Sequence, residues 1–150
     1  MATAEYRYDE YPFAVVIANP QEVPARITIT QAGDAITELI AEQTVTEPTH
    51  AQIGATLRST VVYSEIRDAV GTVTRISGPA QNIEIPAGAM GTFILPNAPA
   101  GMQVTEDTIT YQSEVNPKAY RVSADVPVTA YQFQPICCSQ SFTNDATILF

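Results

Sequence analysis

The chain holds one lysine, Lys118, one histidine, His50, and no tryptophan. Each scarcity removes a class of function. Seven cationic residues stand against sixteen acidic ones, for a net charge of −9. Phosphate recognition needs clustered Lys and Arg, so nucleic acid is not an expected partner. The same acidity works against an anionic membrane surface. No apolar run approaches the roughly 18 residues of a membrane-spanning helix, so membrane insertion is not expected either. A Ser-His-Asp or Cys-His system would have to use His50, which sits in a polar loop with Glu47 as its nearest acid. An ordinary solvent-exposed loop histidine accounts for it. Zinc would have to draw on Cys137, Cys138 and His50, fewer ligands than a structural site uses. Phosphate-binding loops and dinucleotide fingerprints do not occur. The expectation is a protein that is not an enzyme, with no cofactor and no metal.

What is present points to strands. With 150 residues, 45% of them hydrophobic, the chain is long enough to bury a core as one domain. Charged residues make up only 15%, so Thr, Ser, Gln and Asn must cover the surface, a pattern shared with extracellular β-proteins. Eleven prolines and seven glycines break the chain into strand-length pieces, and no clear helix period outlasts them.

Residues 13–18 (FAVVIA) are a short apolar run with Phe13, Val15 and Ile17 on one face, ended by Asn19-Pro20. Residues 24–30 alternate, with Ile27 and Ile29 inward and Arg26, Thr28 and Thr30 outward. Gln31-Ala-Gly-Asp34 is the turn after them, with Gly33-Asp34 suited to its tight geometry. Residues 35–45 fit a helix face through Ile36, Leu39, Ile40 and Gln43, or a strand; strand neighbours and the following Thr-Val-Thr favour the strand. Residues 46–55 read as a loop. Strands are expected at 57–66, 70–76, 83–85, 92–95, 108–111, 120–124, 128–133 and 146–150. Pro86-Ala-Gly matches a type II turn with Pro at its second position. Pro127 removes a backbone donor, so the chain should bend or cross between sheet edges at Asp125-Val-Pro127. The sum is an all-β fold, an antiparallel β-sandwich of roughly eight to eleven short strands, in a single domain spanning residues 1–150. Residues 41–78 form a possible insertion.

The acids Asp9-Glu10 and Glu106-Asp107 are adjacent, and neighbours on a strand point to opposite faces, so neither is a ready carboxylate pair. Thr143, Asn144 and Asp145 are the best local candidates for calcium, and an Asx turn explains them equally well. Cys137 and Cys138 are neighbours, with Cα atoms about 3.8 Å apart. The usual disulfide span is about 4.4–6.8 Å. Three arrangements compete: free thiols, pairing with cysteines elsewhere, or a strained vicinal ring. Tyr6, Tyr8 and Tyr11 lie close together near the start, where they could form a contact patch or fill the core.

A resemblance rests on four blocks of residues: FAVVIANPQEVPARITIT, IEIPAGAMGTFILP, YRVSADVPVTAYQFQP and SFTNDATILF. Their order resembles the N-terminal region of IgGFc-binding-protein-like domains, bacterial members above all. The similarity covers about residues 11–150 apart from 41–78, and is strongest at DVPVTAYQF (125–133) and TNDA (143–146). It implies an exported or cell-surface β-sandwich module acting in adhesion or binding, with a protein or glycan ligand. The adjacent cysteines depart from the family's spaced pair, so no disulfide pairing carries over. No catalytic residues carry over either.

The expected function is therefore an extracellular or cell-surface binding module, non-catalytic. The alternatives are a carbohydrate-binding domain, calcium-dependent or not, and a structural spacer or filament module. The expected binding residues are Ser139, Gln140, Ser141, Thr143, Asn144 and Asp145, with Tyr6, Tyr8 and Tyr11 second, because loops on a rigid sandwich carry function more often than its faces. Met1 is not followed by the apolar region of a signal peptide, which fits either a cytoplasmic protein or a piece of a longer one. The end at Phe150, inside an apolar run, favours a piece that lacks its leader.

Overall fold

Period-two alternation in the first two strands sets up two sheets with a shared core. The computed structural model describes residues 13–48, 57–95, 119–133 and 146–149. Among these there is no helix, and twelve strands form: β1 (Phe13–Ala18), β2 (Ala25–Gln31), β3 (Asp34–Ala35), β4 (Glu42–Pro48), β5 (Leu57–Tyr63), β6 (Glu65–Arg67), β7 (Val73–Arg75), β8 (Ile83–Ile85), β9 (Met90–Leu95), β10 (Tyr120–Ala124), β11 (Thr129–Phe133) and β12 (Ala146–Leu149). One sheet has the order β12-β11-β1-β9-β6-β7. A second has β2 at its centre, with β10 on one side and β3 and β8 on the other. β4 and β5 pair as a hairpin of their own. Every pairing is antiparallel. The fold is all-β and sandwich-like.

The two sheets share one buried cluster. Val15, Ile17, Phe93 and Leu95 come from the six-stranded sheet, and Ala25, Ile27, Ile29 and Ile85 from the other. Gly91 belongs to the same layer because Phe93 needs its space: a Cβ at Gly91 would lie 2.7 Å from Phe93 Cζ. At one end of the layers the Phe13 and Tyr120 rings stack with centroids 5.7 Å apart.

At the other end the chain passes between sheets three times: β1 to β2, β8 to β9, and β10 to β11. Asn19 ties the first two crossings together. Its side chain, 1% exposed, donates from Nδ2 to the carbonyls of Val23 (2.8 Å), Ile85 (3.0 Å) and Pro86 (3.1 Å), and its Oδ1 accepts from Gln21 N–H (3.0 Å). Asn19 N–H donates to Ala89 C=O at 2.9 Å, and Gly88 N–H donates to Asn19 C=O at 3.0 Å. Gln21 Nε2 reaches the third crossing at Pro127 C=O (3.1 Å), where Asp125 Oδ1 also accepts from Arg26 N–H (2.7 Å). The expected crossing at Asp125-Val-Pro127 is therefore observed, with Pro127 free of any ladder duty because the strand has already left its sheet.

Several local details differ from the sequence reading. The expected turn at Gln31–Asp34 forms between β2 and β3, but its central pair is Ala32 and Gly33, at φ +55° and +94°, because Gln31 and Asp34 pair with each other. In the 86–89 turn Ala89 N–H donates to Pro86 C=O (3.1 Å), so Pro86 is its first residue and Gly88, at φ +67°, its third. Residues 35–45 are extended but broken: Leu39 and Ile40 make isolated bridges to Gly78 and Ile94 before β4 begins. β4 runs on to Pro48, so residues 46–48 are strand where a loop was expected. Strand 57–66 is interrupted at Ser64, which is fully buried. Its Oγ donates to Ile40 C=O (2.7 Å) and accepts from Ile94 N–H (2.9 Å), joining the β4–β5 hairpin to the main sheet.

Candidate functional site

The binding residues expected from sequence, Ser139, Gln140, Ser141, Thr143, Asn144, Asp145, Tyr6, Tyr8 and Tyr11, lie outside the described residues, as do Cys137, Cys138, His50 and the strand expected at 108–111. What the described residues bring together lies elsewhere, and the strand register reveals it.

In antiparallel pairs, directly opposed residues share a face. The row Val16–Thr92–Glu65–Arg75 and the row Ala18–Met90–Arg67–Val73 therefore lie on the outer face of the six-stranded sheet. Among the described residues Glu65 is the one carboxylate on that face. It forms ion pairs with both Arg75 and Arg67, the latter at 3.4 Å. The Arg75 guanidinium also lies over the Tyr63 ring, 3.4 Å from its centroid, a cation–π placement that holds its direction. Two guanidiniums share one carboxylate, so the cluster carries an excess positive charge and spare N–H donors. Beside it Val73 and Met90 are exposed, at 37% and 40%.

The outer face of the β2 sheet also carries arginine, with Arg26 opposite Glu84 and Arg121 opposite Thr30. Glu22, Asp34, Glu38, Asp68 and Asp125 instead occupy connections and strand ends. Among the described residues the outer faces of both sheets thus carry arginines, in a chain of net charge −9. Asp68 is spent locally. Its carboxylate accepts N–H bonds from Thr72 (2.7 Å) and Val70 (3.0 Å) in the β6–β7 turn, and the Thr72 bond foremost holds its pKa below the usual value. Val70 stands at the turn tip, 88% exposed.

A second place is an open recess of about 280 Å³ lined by Gln31, Asp34, Ile36, Thr37, Glu38 and Tyr120, with Ala35. Burial pushes the Tyr120 hydroxyl above the ordinary tyrosine pKa, partly offset by a hydrogen bond with Gln31. It offers carboxylates beside an aromatic edge. Among the described residues no three His, Cys, Asp or Glu side chains gather closely enough to hold a metal ion.

Sequence reasoning passed over the Tyr63–Arg75–Glu65–Arg67 cluster. The alternation of residues 65, 67, 73 and 75 was visible, but which strands lie side by side was not. No protein-family model, curated protein or solved structure matches this chain.

Proposed function

We propose that this chain is a non-catalytic binding module of an extracellular or cell-surface protein, engaging a protein ligand through the outer face of its six-stranded sheet. The observation that carries the reading is the Arg67–Glu65–Arg75 cluster beside exposed Val73 and Met90. Arginine with neighbouring apolar surface is the composition of interface centres. The rigid corner around Asn19 supports the reading, since a preorganised frame lowers the ordering cost of binding. The resemblance to IgGFc-binding-protein-like domains points the same way.

Flow cytometry of the fluorescently labelled chain on intact bacterial and animal cells tests this. Saturable binding that is lost in the Arg67→Glu/Arg75→Glu double variant is the expected result. Absent or non-saturable binding sinks the reading.

A second reading, glycan binding, draws on the recess, where Tyr120 lies beside Asp34 and Glu38. A glycan array with wild type and the Tyr120→Ala variant separates the two. Retention of particular glycans, lost in that variant, favours the recess.

A further inference from the structure

We infer that β7 is a strand-addition site for an extended, acidic segment of a partner protein; this deepens the binding reading above and rests on it. The backbone supplies the first argument. Asp68 N–H donates to Thr72 C=O (3.0 Å) and Ile76 N–H donates to Ser64 C=O (3.0 Å). In an antiparallel ladder, hydrogen-bonded pairs alternate with pairs that are not. The pairs 68/72 and 64/76 are bonded, so the 66/74 pair is bonded as well, and Val73 and Arg75 turn their N–H and C=O groups away from β6. Among the described residues β7 ends the order of its sheet, and all three of its residues are exposed. Outward backbone groups on an exposed edge are the template used in β-augmentation.

The side chains select the partner's charge. Arg75 on β7 and Arg67 beside it outnumber Glu65, while Asp68 has the opposite parity from these residues and is held in its turn. An incoming strand with Asp or Glu at alternate positions would place carboxylates over Arg75, and its intervening side chains would lie on the opposite face. A second copy is a poorer occupant. Antiparallel pairing of β7 with itself about Thr74 brings the two Arg75 side chains onto one face, and two chains of net charge −9 repel. The three-residue length of β7 limits indiscriminate pairing.

The test uses a short synthetic peptide of alternating Glu and Thr, with a Lys-Thr peptide of the same length as its opposite. Binding to the whole chain is followed by amide NMR shifts and fluorescence anisotropy. The expected result is Glu-peptide binding that shifts the Val73 and Arg75 amides and weakens with salt. Val73→Pro removes an outward N–H and spares the bonded pairs, so it should weaken binding about tenfold or more with an unchanged melting curve. Arg75→Glu should exchange the preference from the Glu peptide to the Lys peptide, which keeps the test decisive if the proline variant fails to fold. Equal binding of both peptides, no binding of either, undiminished binding by folded Val73→Pro, or self-association through β7 overturns strand addition. Cell binding that persists in Val73→Pro alongside a failed peptide test would sink strand addition and leave the binding function standing.

Discussion

Asn19 Nδ2 lies 3.0 Å from the carbonyl oxygen of Ile85, a residue 66 positions later, and this contact joins the two sheets at their corner. The same amide reaches Val23 and Pro86, so one buried side chain satisfies carbonyls on both sides of two sheet crossings.

Asn19→Ala should therefore be among the most damaging single substitutions. It strands buried carbonyls and the N–H of Gln21. A loss of about 2–4 kcal/mol is expected, from several unmade buried hydrogen bonds. At about 2–4 °C per kcal/mol, thermal unfolding followed by circular dichroism would register it clearly. A change below about 1 °C would mean that the corner is held by other contacts.

Ser64→Ala removes the hydroxyl between Ile40 C=O and Ile94 N–H. Both backbone groups lose their partner, at a cost of about 1–3 kcal/mol. Hydrogen exchange should locate the effect, with faster exchange at Ile94 and across β4–β5 than at β2. Uniform acceleration over both sheets would contradict a local link.

Gly91→Ala tests close packing. The added methyl would meet Phe93 Cζ at 2.7 Å and Ile85 Cδ1 at 3.1 Å. Phe93 is fully buried and has little room to yield, so about 1–3 kcal/mol of destabilisation is expected by denaturant titration. Pairing it with Phe93→Leu should give less than the sum of the two single losses, because the smaller side chain makes room for the methyl.

Asp68 predicts a local response to acid. Its folded pKa is depressed, chiefly by the Thr72 N–H. Its contribution is therefore present above the unfolded carboxylate pKa of about 3.9 and is lost as pH falls through the lower folded value. The amide shifts of Val70 and Thr72 should titrate together, below the pH at which ordinary carboxylates titrate. Titration at an ordinary carboxylate pH would show that the turn bonds do not hold in solution. In Asp68→Ala this step should vanish and the β6–β7 turn should exchange faster.

Tyr120 gives the opposite sign at high pH. Burial raises its pKa, so its contribution is complete below the unfolded tyrosine pKa of about 10 and is lost as pH rises through the folded value. Ultraviolet titration should show a late-ionising tyrosine that disappears in Tyr120→Phe.

The expected strands at 13–18, 83–85 and 120–124 match β1, β8 and β10, because alternating side chains and turn residues act over a few positions. Pro127 likewise carried its meaning locally: a missing donor at that point meant a bend or a crossing, and the structure makes it a crossing. Other assignments failed where distant partners decide. Ser64 looked like one more polar strand residue, and only the approach of Ile40 and Ile94 makes it a buried link. Residues 35–45 lost their continuous strand because Leu39 and Ile40 bridge to different segments.

The arginine cluster shows the division most plainly. Composition and period, which are local, determined that this chain is all-β, acidic overall and poor in lysine and histidine. That Arg67 and Arg75 share Glu65 on an exposed sheet margin was decided by the pairing of β6 with β7 and β9. Strand neighbours are chosen by burial of the core face over the whole chain, and that choice sets which outward side chains meet.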